Sequence, residues 1–201
     1  MRVTGRASVR DLFWNFARAE FEVPARGPRH TQPEIPGELK ERILRGERAG
    51  LSRYDWGLLR EALISTRASI VNPVLAYVRT WSLAEIEAAD LADLRVMNLR
   101  IFTSIAPSRK LLDLAASLVR GIFPEIWDPG HYRELRAGFD WDRMRGRPIL
   151  LSERTGGPWT LVEGTTRLCV IASRQNRGEL RFDSFPVLLG VGAKLGEWEW
   201  F

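Results

Sequence analysis

The chain has 201 residues, 45% of them hydrophobic, and a formal net charge of +5. This length is enough for one large or two small domains with their own cores. A single cysteine excludes a disulfide scaffold, and one cysteine with two histidines excludes a zinc-type ligand cluster. The start has no apolar leader, and no apolar run approaches the roughly 20 residues of a membrane span, so the sequence predicts a cytoplasmic protein with no membrane partner. The basic excess is spread along the chain, which gives weak support for a nucleic-acid partner.

The first 135 residues are predicted to form a helical region, because apolar side chains recur there at helical spacing. Pro73 is expected to stop the third helix, since proline disfavours helical backbone in the residue before it. Ser82 and Glu85 have the spacing of a capping box and predict the start of the fourth helix. Pro124, Pro129 and Gly130 are expected to close the fifth helix. The predicted helices cover residues 8–21, 38–48, 54–70, 82–102 and 107–119, with a proline-rich loop over residues 24–36.

Residues 136–201 are predicted to form a small α+β domain with a mixed sheet, so the predicted fold class is α+β. Short apolar runs alternate there with Gly/Pro turns, a pattern typical of strands in one sheet. In order, the sequence predicts strands over residues 148–151 and 159–162 joined by a hairpin loop, a helix from about Thr165 to Gly178, and a strand over residues 185–191.

The segment Glu163-Gly164-Thr165-Thr166-Arg167 follows an apolar run and precedes a helical pattern, so it predicts a strand–turn–helix corner. The first N–H groups of a helix have no partners inside it, and the helix dipole gives that end partial positive charge. Such a corner suits a phosphate group. Arg167 would add a full charge and a planar set of donors. We therefore expect Arg167 to face a solvent-accessible cleft beside the amides of Thr165 and Thr166.

The strings GRPILL, GPWTLVEGTTRL and FPVLL in the last third of the chain resemble motifs of the ParB/sulfiredoxin-like superfamily. Its members share a Q-P-I-type strand, a strand ending in an acidic or small residue, a G-x-x-R corner that opens a helix, and an I-P-V strand. Within the family this corner binds nucleotide phosphates: CTP in ParB, ATP or ADP in sulfiredoxin and the free-serine kinases. The resemblance implies that Gly164, Thr165, Thr166 and Arg167 cradle the phosphates, and that Gly146, Arg147, Pro148 and Ile149 occupy the strand bordering the nucleotide.

The chain departs from the family pattern at positions that matter for chemistry. Sulfiredoxin needs a cysteine directly after the motif glycine, where this chain has Thr165. The one cysteine, Cys169, falls within the helix pattern and is predicted to be a core residue. ParB has adjacent arginines where this chain has Thr166-Arg167, and the serine kinases have a motif histidine that is missing here. These departures favour a weaker phosphate grip and binding over rapid turnover.

Glu163 has three open roles: holding Mg²⁺, acting as a base, or capping the turn by accepting backbone N–H bonds. If there is chemistry, Arg167 stabilises phosphate charge while Glu163 positions the metal or takes a proton. The predicted cofactors are therefore ATP or CTP together with Mg²⁺.

The sequence thus predicts nucleotide-phosphate binding, with slow hydrolysis or phosphotransfer left open. One alternative is a non-enzymatic module that binds DNA or a protein in a prokaryotic system and has a vestigial nucleotide site. A lower-ranked alternative is a metal-dependent nuclease with Glu163 and either Glu153 or Asp183 as ligands. The aromatic tail over residues 196–201 is predicted to dock on the body of the protein, because exposed contiguous aromatic residues promote aggregation.

Overall fold

A computed structural model describes residues 1–22, 34–125, 127, 129–138 and 146–201. The described residues form the predicted α+β fold, in which helices accompany a six-stranded mixed sheet. Most of the predicted loop over residues 24–36 lies outside the described residues. The helices are α1 (Val9–Glu22), α2 (Gly37–Arg45), α3 (Arg53–Tyr77), α4 (Arg100–Thr103), α5 (Leu111–Val119), α6 (Pro129–Ala137) and α7 (Thr165–Asn176), and the strands are β1 (Arg2–Ala7), β2 (Thr80–Glu87), β3 (Leu94–Val96), β4 (Ile149–Ser152), β5 (Trp159–Glu163) and β6 (Ser184–Val191).

The strands are arranged in the order β1-β2-β6-β4-β5-β3. β6 runs parallel to β4 and β3 runs parallel to β5, whereas the other neighbours are antiparallel. The three strands predicted near the end of the sequence are confirmed as β4, β5 and β6, and they lie side by side within the sheet. All of β4 and the first four residues of β5 are buried. Burial on both faces explains why these strands appear as continuous apolar runs in the sequence.

The predicted helix over residues 82–102 is wrong. Ser82 and Glu85 lie in β2, and β3 follows within the same segment. The buried residues of β2, Ala84 and Ile86, are two positions apart, which is the period of a strand. The sheet therefore takes strands from both sides of the predicted boundary between residues 135 and 136, and the first 135 residues are not wholly helical.

Two prolines that were expected to end helices do not do so. α3 continues through Pro73 and bends instead at Arg67, whose φ is −132°. The Arg67 guanidinium donates two hydrogen bonds of 2.8 Å to Glu20 on α1, so a tertiary contact holds the bend. Pro129 is the first residue of α6 and does not close the preceding helix. Proline is favoured at this position, because the N–H that it lacks would have no hydrogen-bond partner within the helix. The other helices predicted before residue 120 are confirmed as α1, α2 and α5, with ends shifted by a few residues.

A hydrophobic core runs through the described fold and includes residues of β2 to β6, and Met1 and Ala7 of the β1 segment are packed against it. α1 contacts α2 and α3, while α5 and α6 contact α7. Cys169 is fully buried in α7, and burial raises the pKa of its thiol, which confirms the prediction of a core residue. The tail docks as predicted: Trp198 is buried, and the Trp200 carbonyl accepts a 2.8 Å hydrogen bond from the Asn98 amide. Within the described residues, no helix is long and apolar enough to cross a membrane.

Candidate functional site

The predicted corner between β5 and α7 is present, and α7 begins at Thr165 as predicted. Gly164 separates the two elements with φ of 92° and ψ of 17°, the left-handed conformation that glycine adopts without steric cost. A Cβ atom at this position would lie 3.0 Å from the Cβ of Pro148. Both the backbone conformation and the close approach to Pro148 therefore require glycine here.

The chain entering β4 borders the corner. Ile149 is paired with Glu163 across the β4–β5 ladder. The Pro148 carbonyl accepts a 2.8 Å hydrogen bond from the Leu188 amide of β6, and the Arg147 amide donates a 2.6 Å bond to the Asn15 side chain of α1. Main-chain contacts with two other elements thus fix the border of the corner.

Arg167 closes the corner from the helix side. Its Nη1 donates a 2.7 Å hydrogen bond to the Gly146 carbonyl, and its Nη2 donates a 3.2 Å bond to Glu163 Oε1. Only 13% of the Arg167 side chain and 25% of the Glu163 side chain are exposed. Arg167 therefore faces a carboxylate and a carbonyl of its own corner, so the predicted orientation toward a solvent-accessible cleft is wrong.

The helix start still has features that favour an anion. Within the described residues, the N-cap Gly164 provides no side-chain hydrogen bond to the start of α7, and no acidic residue lies in the first turn of that helix. Thr165 and Thr166 are partly exposed. The amides of this turn are at the positive end of the helix dipole, and Glu163, directly before the turn, is the carboxylate that compensates it.

Glu153 and Glu163, two of the carboxylates proposed for a nuclease site, are not brought together. β4 and β5 are antiparallel, so Glu153, which follows β4, and Glu163, at the end of β5, lie at opposite ends of the hairpin. Glu153 instead accepts a 3.2 Å hydrogen bond from the Gly196 amide of the docked tail. Asp183 precedes β6 and is exposed. No group of three or more His, Cys, Asp or Glu residues suited to a metal ion occurs in the part of the chain that the structure describes.

Two further arginines, Arg174 of α7 and Arg177 directly after it, do not extend the corner into a basic stripe. Arg174 and Arg177 both pair with Glu179, at 3.7 Å and 3.8 Å. These pairs lie at the end of α7 opposite the corner.

A cavity of about 720 Å³ has no counterpart among the sequence predictions. It lies where β1 ends, β2 begins and α3 ends, and Arg6 and Arg79 are among its lining residues. The sequence analysis contains no β1 and predicts a helix in place of β2, so it gives no indication that these two arginines line one cavity. The signal that could have indicated β2 is the strand-like alternation of side chains around Ala84.

Comparisons with known proteins find a partial similarity. No family model matches the chain, and no solved structure matches it. A Streptomyces coelicolor protein named "Putative tricorn protease homolog 2" is 28% identical over 113 residues. That alignment covers 50% of this chain and 9% of the longer protein.

We predict that Gly164→Ala destabilises the protein more than Gly178→Ala does. Both glycines have positive φ, but a Cβ at Gly178 would meet nothing within 4 Å, whereas at Gly164 it meets Pro148. The backbone cost is about 1–2 kcal/mol for each, and overpacking should add roughly 1 kcal/mol or more at Gly164. Urea unfolding of the two variants measures the difference in their free energies of unfolding. Equal losses of stability would show that Pro148 moves aside at little energetic cost.

Proposed function

We propose that the protein binds the phosphate groups of a nucleotide, ATP or CTP, at the corner between β5 and α7. The observation that carries the proposal is the left-handed turn at Gly164, which brings the start of α7 and the Arg167 guanidinium to one corner. Phosphate oxygens would accept hydrogen bonds from the amides of Thr165 and Thr166 and from the side chain of Arg167. Arg147 and Pro148 would border the bound nucleotide.

Arg167 is held in place before any ligand arrives. Its bonds to Gly146 and Glu163 restrict a side chain that would otherwise lose much rotamer freedom on binding. A phosphate would compete with Glu163 for the guanidinium, because both present oxygen acceptors with negative charge. We therefore expect modest affinity and an exchange of partners at Arg167.

Mg²⁺ fits this site only as an ion that arrives with the nucleotide. Glu163 is the carboxylate at the corner, and Mg²⁺ is commonly held by one or two carboxylates together with substrate phosphates. When bound, the ion would neutralise phosphate charge. In this proposal Glu163 is its protein ligand.

We further propose binding without rapid turnover. Glu163 accepts a hydrogen bond from Arg167, and this contact suits a positioning residue better than a free base. The separation of Glu153 from Glu163 gives no support to a nuclease, and no contact in the described residues favours a DNA or protein partner over a nucleotide. We place the protein in the cytoplasm, where a buried unpaired cysteine is stable.

The first prediction concerns the role of Arg167 in binding. ATP or CTP with Mg²⁺ at one hundred times its Kd should stabilise the wild-type protein by about 2.7 kcal/mol. That corresponds to a rise in Tm of roughly 5–10 °C for a chain of this size. Arg167→Ala should remove the shift, whereas Arg177→Ala, which removes an exposed arginine at the other end of α7, should keep it.

Arg167→Lys serves as a second variant, since it keeps the charge and should keep part of the shift. The proposal is wrong if ATP, CTP, GTP and ADP all leave the wild-type Tm unchanged, or if folded Arg167→Ala responds like the wild type.

The second prediction separates a positioning role of Glu163 from a catalytic one. Glu163→Gln should cost on the order of 1 kcal/mol of stability, because a favourable charge at the helix start is lost. The Tm shift induced by nucleotide without Mg²⁺ should remain, whereas the additional shift from Mg²⁺ should shrink, because Glu163 is the proposed metal ligand. Wild-type protein should release phosphate from ATP or CTP more slowly than about one per second. Glu153→Gln, at the opposite end of the hairpin, is the matched control. Faster wild-type release that disappears in Glu163→Gln alone would establish Glu163 as the base.

A further inference from the structure

The cavity at the β1–β2 end of the sheet is separate from the corner. Its walls come from the end of β1, the start of α1, the last turn of α3 and the start of β2. In the sheet, Thr80 of β2 is level with Val191 of β6, which is paired with Ser152 at the far end of β4. The corner lies beside Ile149, at the other end of β4. A ligand in the cavity would therefore not touch the residues proposed to bind nucleotide.

The charge of the cavity is positive and uncompensated. Two of its lining residues, Arg6 and Arg79, are basic and none is acidic. Both arginines are exposed, and neither has an ion pair or side-chain hydrogen bond within the described residues. This contrasts with Arg167, whose charge is already paired. Unpaired guanidinium groups beside one concave surface attract oxyanions and can bind them with two parallel hydrogen bonds.

The backbone fixes where these two arginines stand. Arg6 is paired with Ser82 across the β1–β2 ladder, so their side chains lie on the same face of the sheet. The Arg79 amide donates a 2.9 Å hydrogen bond to the Val191 carbonyl, which holds the chain at the junction of α3 and β2. The backbone positions of both arginines are thus fixed at this end of the sheet.

The rest of the lining is both apolar and hydroxyl-bearing. Val9 is exposed, and Leu75 and Trp81 are half-buried, whereas Val74 in the last turn of α3 and Val78 directly after it are buried. Thr80 and Ser82 provide hydroxyl groups that have no partner among the described residues. A volume of about 720 Å³ is in the usual range for small-molecule sites, which combine apolar walls with a few polar anchors.

The nearby carboxylate of Asp11 does not cancel this charge. It accepts hydrogen bonds from the Ser8 amide and hydroxyl, and from Arg48. Burial opposes its ionisation, but the bonds from Arg48 and Ser8 prevail and lower the pKa of Asp11 below its usual range. The negative charge of Asp11 is therefore balanced by Arg48, so Asp11 does not compensate the arginines of the cavity.

We propose that this cavity binds a small organic anion: a phosphate, sulfonate or carboxylate attached to an apolar or aromatic body. Arg6 and Arg79 bind the oxyanion, with the hydroxyls of Thr80 and Ser82 as further donors. The apolar body packs against Val9 and Leu75, the accessible aliphatic residues of the lining.

The test uses 8-anilinonaphthalene-1-sulfonate, a fluorescent sulfonate with an aromatic body, titrated into the full chain. Arg6→Gln and Arg79→Gln should each raise its Kd about tenfold, which corresponds to ~1.4 kcal/mol. Arg60→Gln removes an exposed arginine of α3 that does not line the cavity, and its Kd should stay within about twofold of the wild type. Circular dichroism checks that each variant is folded.

A competition experiment tests the same site without any variant. Phenyl phosphate should displace the probe from wild-type protein, whereas phenol at equal concentration should not. The proposal is overturned if Arg6→Gln and Arg79→Gln bind the probe like the wild type, if Arg60→Gln weakens binding as much as they do, or if phenol competes as well as phenyl phosphate.

Discussion

The close packing of Gly164 against Pro148 is the contact on which the proposed site depends. It lets the chain leaving β5 turn directly beside the chain entering β4, because only a residue without a Cβ fits under the proline ring. The turn starts α7 at Thr165 and places Arg167 within reach of the Gly146 carbonyl. The open end of the β4–β5 hairpin is thereby closed by packing, by the Arg167 side chain, and by the main-chain bond from β6 to Pro148.

The same closure sets limits on function. A guanidinium that stabilises the corner through Glu163 cannot also be a vacant anion receptor, so phosphate binding must exchange one negative partner for another. In the proposal, a ligand site at the helix start therefore requires this exchange of partners at Arg167. The cavity beside β1 has the opposite arrangement, since its arginines are unpaired and exposed and its walls need no rearrangement of charge. The two sites should therefore differ in which anions they prefer.

Sequence reasoning succeeded where local signals and tertiary packing agree. The buried strands β4, β5 and β6 appear as apolar runs between turns, and the Glu-Gly segment marks the corner directly. It failed for β2, where a Ser82–Glu85 spacing typical of a helix start outweighed the alternation of Ala84 and Ile86. It also gave Arg167 a solvent-facing orientation, because the contact with Gly146 joins residues 21 positions apart and has no local signature. The cavity depends on the pairing of β1 with β2 across more than seventy residues, so it could not be predicted from local patterns.

Amide hydrogen exchange, measured residue by residue with and without ATP or CTP and Mg²⁺, tests the central claim most directly. Phosphate oxygens bound to the first turn of α7 would slow the exchange of the Thr165 and Thr166 amides, which have no partners inside the helix. We predict slower exchange at these two positions and unchanged exchange at residues 6–9 and 79–82 around the cavity. Unchanged exchange at Thr165 and Thr166 under saturating nucleotide, or protection confined to the cavity, would contradict the proposed phosphate site.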